Sequence, residues 1–270
     1  MTDLAALERA VLARPGDLGR RAAYAIACAE VAAGSAKADD ALRETRAALA
    51  RSSGLPSLDA AVDAAYDALL GAEALAASKT ALRRDHASAL LARAARDPDG
   101  VEVRAAAVAV VAPLAAGPWP EPAEAAEVAL AALNPGMALT WLDGRPETQH
   151  DADATALCGV ALLRLEDAPG ARARCEGVIA SGIRSPDLLN VAGMAALMCR
   201  DADRARDHLM AARELAPART DVLLNLVAAH AMAGHVGAAL GVLDGLVDLH
   251  GPPSEPAGLR DALLAALAGT

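Results

Sequence analysis

Three aspartates, Asp153, Asp187 and Asp221, recur at an interval of 34 residues. Each precedes a stretch that is apolar at helical spacing. A carboxylate there meets the positive end of a helix dipole, worth about 0.3–1 kcal/mol. The same column can also serve as an acidic rim for a basic partner. Asn190 and Asn225 each follow a Leu-Leu pair and are two of only three asparagines in the chain, which points to a shared role. Of the six histidines, only His230 and His235 are close in sequence. A spacing of five sets them about 140° apart on a helix, and Gly234 ends the helix between them. The sharper reading is a metal site completed by His250 or Cys199; the plainer one is a core-edge His230 and a turn His235, with no metal. The sequence holds no G-x-G-x-x-G, G-x4-G-K-[ST], G-x-S-x-G or H-E-x-x-H motif, so nucleotide, nucleophile-elbow and zincin chemistry have no anchor. A non-catalytic chain without cofactor is expected.

Composition says what must position these residues. The chain has 270 residues and a formal charge of -10. Ala accounts for 74 of them, Arg outnumbers Lys 23 to 2, and Phe is absent. Ala is the best helix former, and β-branched and aromatic residues are too few for a β-protein. Without a basic excess, nucleic-acid binding by bulk charge is excluded. The first residues lack a basic and an apolar region, so no secretory signal is expected. The longest apolar run, 105–116, contains Pro113 and falls short of the roughly 20 residues of a membrane span. The four cysteines, Cys28, Cys158, Cys175 and Cys199, lack C-x-x-C spacing and read as small buried hydrophobes in a reducing cytoplasm.

The interval of 34 is shared by other columns: Gly159, Gly193 and Val227; Ala171, Ala205 and Ala239; Cys175, Leu209 and Leu243. Each unit reads as two helices. In the middle one, Ser185-Pro186-Asp187 is a helix start, and Leu188, Leu189, Ala192, Ala195 and Ala196 form an apolar stripe. Asp201-Ala202-Asp203 reads as the turn. Ala205, Leu209 and Ala212 then share a face of a second helix that ends before Pro217. The Leu-Leu-Asn triplets lie 35 apart, not 34, and one extra residue in the Asp201–Asp203 turn would reconcile the two. Gly193, Ala205, Leu209, Ala212 and Pro217 resemble the tetratricopeptide repeat (TPR) pattern. Gly234, Ala239, Leu243 and Leu246 continue it, and Gly159, Ala171, Cys175 and Val178 give a looser copy. The family's large aromatic positions are filled here by Leu, Ala or His.

The resemblance implies an all-α, right-handed solenoid of antiparallel helical hairpins, with repeats at 152–185, 186–219 and 220–253. Residues 1–136 read as degenerate hairpins, in which Ala41/Thr45/Ala48, Ala87/Leu91/Ala94 and Ala125/Ala129/Ala132 repeat weakly. Breaks fall at Pro15-Gly16, Gly54-Leu55-Pro56, Asp97-Pro98-Asp99-Gly100, Gly117-Pro118-Trp119-Pro120 and Asn134-Pro135-Gly136. Residues 137–151 are expected to be an irregular junction, and 254–270 a capping helix with Leu259, Leu263 and Leu267 in register. In this family the first helix of each pair lines a concave groove for a peptide. By position, that groove would present Asp153, Val160 and Leu163, then Asp187, Asn190, Met194 and Met198, then Asp221, Asn225, Ala228 and Met232. An asparagine there can bond a peptide backbone through its amide, and methionine is an adaptable apolar contact; core filling by Met194 and Met198 is the plainer alternative. The implied function is a cytoplasmic adaptor that binds a protein or peptide, with a basic partner suiting the acidic column. The other reading is a substrate-recruiting module of a protein-modifying enzyme, of glycosyltransferase or hydroxylase type, whose catalytic domain lies elsewhere. Neither reading involves nucleic acid or membrane.

Overall fold

The computed structural model describes residues 4–14, 17–32, 39–40, 43, 45–47, 55–71, 79–96, 100–251 and 256–268. Every regular element among them is a helix. None is long and apolar enough to cross a membrane. The chain divides into two compact units, Met1–Asn134 and Pro135–Thr270.

The first unit contains α1 (Leu4–Ala13), α2 (Leu18–Val31), α3 (Leu55–Leu70), α4 (Lys79–Ala94), α5 (Val101–Val111), a 3₁₀ turn (Ala112–Ala116) and α6 (Glu121–Ala131). Consecutive helices pack on each other, and α4 also touches α1 and α6. Small residues build most of this core: Ala22, Ala25, Cys28, Ala29, Val62 and Ala65 are buried around Tyr24, Tyr66, Leu69 and Leu82. Of the expected weak repeats, Ala41 and Ala48 lie outside the described residues. So do the breaks at Pro15-Gly16, Gly54 and Asp97-Pro98-Asp99. Leu55 and Pro56 open α3, and Gly100 is the residue before α5.

The second unit runs α7 (Pro135–Leu142), α8 (Glu147–His150), α9 (Ala152–Arg164), α10 (Ala168–Ala180), α11 (Pro186–Met198), α12 (Ala202–Leu215), α13 (Thr220–Met232), α14 (Val236–His250) and α15 (Leu259–Ala268). The stretch expected to be irregular, 137–151, is helical over 137–142 and 147–150, with residues 143–146 and 151 outside the helices. Pro135 holds a position where its missing N–H costs nothing, and Gly144, at φ +75°, makes the turn between α7 and α8. From α9 to α15 each helix packs on the next, and α11 touches both α9 and α13.

The phase of 34 is kept strictly. Helices α9, α11 and α13 each have 13 residues and start 34 apart. The turns that follow are alike. Glu166, Arg200 and Gly234 all have positive φ, at 64°, 59° and 76°. In each turn the next residue's N–H reaches back five residues to a carbonyl: Asp167 to Leu162, Asp201 to Ala196 and His235 to His230, at 2.8–2.9 Å. This is the left-handed C-terminal cap that satisfies the last helical carbonyls. The turn after Met198 thus holds no extra residue. Asp201 caps α12 by accepting from Arg204 N–H, while Asp203 already belongs to the helix. Asn225 accordingly sits one position further along α13 than Asn190 does along α11.

Close approach of paired helices explains the glycine column. A Cβ on Gly159 would lie 2.6 Å from Val191 Cγ1 of α11 and 3.0 Å from Cys175 Sγ of α10, and one on Gly193 would lie 2.5 Å from Leu209 Cγ. The two columns seen in the sequence are therefore the two sides of one contact. Val227 and Leu243 continue it in a cluster with Leu223, Leu246 and Leu263 of α15. Part of the capping segment, 254–255 and 269–270, lies outside the described residues.

Candidate functional site

The residues singled out on α11 and α13 meet through side chains. Asn225 Nδ2 donates to Asn190 Oδ1 at 2.8 Å, and Asn190 Nδ2 donates to Asp221 Oδ2 at 3.1 Å. Asp221 also accepts two bonds from Arg219, Nε to Oδ1 at 2.8 Å and Nη2 to Oδ2 at 2.9 Å. Nη2 of the same guanidinium reaches Asp187 Oδ1 at 2.6 Å. Five side chains thus form one chain of hydrogen bonds, Asp187–Arg219–Asp221–Asn190–Asn225. Asn190 is buried and Asn225 half-buried. The bonds to Asp187 and Asp221 raise the Arg219 guanidinium above its ordinary value.

The chain has a fixed polarity. A carboxylate only accepts, so Asn190 must turn its NH₂ toward Asp221 and its oxygen toward Asn225. Asn225 must then donate, which leaves its own Oδ1 without a hydrogen bond from any described residue.

Arg219 was not among the residues the sequence pointed to. A signal for it exists in the phase of 34. It occupies the position before α13 that Asp151 holds before α9 and Ser185 before α11. Asp151 Oδ1 accepts from Asp153 and Ala154 N–H, and Ser185 Oγ accepts from Leu188 N–H. Arg219 makes no such cap, so its residue type is explained by the carboxylates.

The remaining candidates separate by burial. Met198 and Met232, equivalent positions of α11 and α13, are 52% and 46% exposed. Ala228 and Asp153 are exposed. Val160 and Met194 are partly buried against the core between α9 and α11, and Leu163 belongs to that core. Met194 therefore combines core filling with a partly open edge. His230 is half-buried with Nδ1 unpaired, and its ring centroid lies 6.2 Å from that of His235. Among the described residues, no three His, Cys, Asp or Glu side chains converge as ligands for a metal ion.

A second polar cluster, in the first unit, escaped the sequence reading. Arg21 of α2 is 1% exposed and Asp85 of α4 is 0% exposed. Arg21 Nε bonds Asp85 Oδ2 and Nη2 bonds Asp63 Oδ1 of α3, both at 3.2 Å. Arg93 Nη2 takes Asp63 Oδ2 at 2.7 Å. The Arg21 guanidinium lies 4.9 Å from the centre of the Tyr66 ring. His86 Nδ1 stands 3.9 Å from Asp63 Oδ1, buried and without a hydrogen bond. Burial pushes His86 below and Asp85 above their ordinary values. The signal was available: Arg21 falls in helical register with Tyr24 and Cys28, on a face otherwise apolar. Arg21 and Asp85 are sealed from solvent, so what this cluster offers is structural: it ties α2, α3 and α4 together. Compared with known proteins, the chain matches no family model and no curated protein sequence.

Proposed function

We propose that the second unit is a non-catalytic adaptor that binds a protein or peptide on the face shared by α9, α11 and α13. In this reading the unit is a TPR-like, right-handed solenoid of helical hairpins, and that face is its concave side. Packing of alternate helices, α9 on α11 and α11 on α13, favours such a stack. The observation that carries the proposal is the Asn225–Asn190 hydrogen bond. It joins neighbouring repeats at their first helices and leaves an acceptor, Asn225 Oδ1, about two turns before the exposed Met232 on the same helix. A peptide backbone N–H meets that acceptor, and Met198 and Met232 supply apolar contact that adapts to the ligand's shape.

The test is affinity capture with the whole chain, followed by calorimetric titration of the captured protein. Binding energy should concentrate in a few central residues. Asn225→Ala with Met232→Ala should weaken binding by about tenfold or more, because a ligand N–H loses its partner at about 1–3 kcal/mol and the apolar contact shrinks. Met198 and Met232 are the cleaner probes than Met194, whose truncation also opens the core. Arg213→Ala, on α12, should leave the affinity unchanged. Equal losses at Arg213 and at the Asn225/Met232 pair, with folding intact by circular dichroism, would exclude this face.

A further inference from the structure

Asp187 and Asp221 look, in the sequence, like a landing place for a basic partner. The structure shows that place already occupied in large part, with one Asp187 oxygen left open. Arg219 takes both oxygens of Asp221 and one of Asp187, as a ligand arginine would. Its side chain is about two-thirds covered, at 32% exposure. Two carboxylates and one guanidinium leave a local charge of -1 in place of -2. Arg219 also stands where a capping residue is expected and makes no side-chain cap, a position that favours Ser, Thr, Asp or Asn, so the local helix start does not account for it.

We propose that Arg219 is a built-in occupant that closes the acidic pair to cationic side chains, so that this face selects an uncharged, apolar, extended segment. The inference rests on the adaptor reading above and specifies its partner. Charge matching is the argument: Arg219 occupies three of the four oxygens of the acidic pair and halves its charge, and beside what remains, Asp187 Oδ2, the face offers a neutral acceptor, Asn225 Oδ1, and two exposed thioethers, Met198 and Met232. Arg219 acts at one remove as a positioning residue. By holding Asp221 it fixes the Asn190 amide, and Asn190 in turn fixes which end of Asn225 faces outward.

The experiment is selection of a displayed random-peptide library on the full chain and on Arg219→Ser, which restores a capping residue. Arg219→Gln serves as a second variant should serine unsettle the helix start, and melting curves check folding of each. The wild-type chain should enrich apolar peptides with no excess of Lys or Arg. Arg219→Ser should shift the enriched set toward Lys and Arg. Fluorescence anisotropy with a labelled oligo-arginine peptide should show binding to the variant at least about tenfold tighter than to wild type at low salt, and the gain should vanish at high salt by screening. Basic peptides enriched equally by wild type and variant would overturn the closing role while leaving the groove standing, provided that Asn225→Ala with Met232→Ala still removes binding. No enrichment by the wild-type chain, or enrichment insensitive to that double substitution, would overturn the adaptor reading and this inference with it.

Discussion

At the scale of single residues, the buried cluster of the first unit makes the sharpest statements. Removing one partner of a buried ion pair leaves the other charge uncompensated, at a cost of about 3–5 kcal/mol. Arg21→Met should destabilise the first unit by that order in urea unfolding, because it abandons Asp85 at 0% exposure and withdraws one of the cations on Asp63. Arg21→Met with Asp85→Leu should recover a good part of the loss, since no buried charge then lacks its partner. His86 adds a pH dependence whose sign follows from its burial. Its folded pKa is lowered, chiefly by burial and further by Arg21 and Arg93, with Asp63 and Asp67 pulling the other way. The unfolded chain therefore binds the proton first, at about pH 6.5, and stability falls as the pH drops from there toward the folded value. Asp85, raised by burial, acts oppositely: it costs stability as the pH rises from about 3.9 toward its folded value. His86→Leu should flatten the loss below neutrality and leave the Asp85 limb. A slope unchanged in that variant would show that His86 is not the group responsible.

At the scale of elements, the repeated turn separates residues that suit it from residues that do not. Left-handed backbone costs an ordinary residue about 1–2 kcal/mol, yet Glu166 and Arg200 adopt it beside Gly234. Arg200→Gly should raise the melting temperature, and Gly234→Ala should lower it. The helix contacts give a matching pair. Gly193→Ala drives a methyl group into Leu209 Cγ and should cost about 1–3 kcal/mol by overpacking. Gly177→Ala, at an exposed position of α10 with nothing within 4 Å of the new Cβ, should gain about 0.4–1 kcal/mol. These contrasts also show what the sequence made legible. The sequence itself carries both sides of the Gly193–Leu209 contact, as columns at 34, and the Ser185 cap, because a small-for-large pairing and a cap are local patterns. Residues 137–151 were legible in part: Gly144 and Pro146 do lie in the turn 143–146, whereas Trp141 belongs to α7. Arg219 and Arg21 were missed for another reason. Arg21 finds Asp85 64 residues away, and Arg219 reaches Asp187 32 residues away while also holding Asp221 two residues on; no short-range pattern announces the distant pairings, and an Arg-x-Asp triplet alone does not single out a bridge. The Asn190–Asn225 link is half legible: the shared Leu-Leu context marks both residues, but an interval of 35 reads equally as an insertion or as a shift along the helix, and the equal helix starts show it to be the shift.

At the scale of the molecule, the two compact units are held by different means. The first carries a sealed ionic cluster within an alanine-rich core, the second a ladder of short-range contacts between successive helices. In such a ladder stability is close to a sum of neighbour terms. Truncation after Gly251 should uncover Leu223, Val227 and Leu243, which Leu263 covers, and should promote aggregation; a truncated chain that stays monomeric with the same melting temperature would refute the capping role of α15. The buried cysteines give these differences a clock. Burial pushes the thiols of Cys28 and Cys175 up to about 12 and that of Cys158 up to about 11. Only a thiolate reacts with an alkylating agent, so each of the three stays silent until its surroundings open, whereas half-buried Cys199 should react first and serve as the internal standard. Labelling rates read by peptide mass then time the opening of each unit within one tube. Arg21→Met should hasten alkylation of Cys28 and leave Cys158 and Cys175 at their original pace. If all three accelerate together, the chain opens as a single cooperative body.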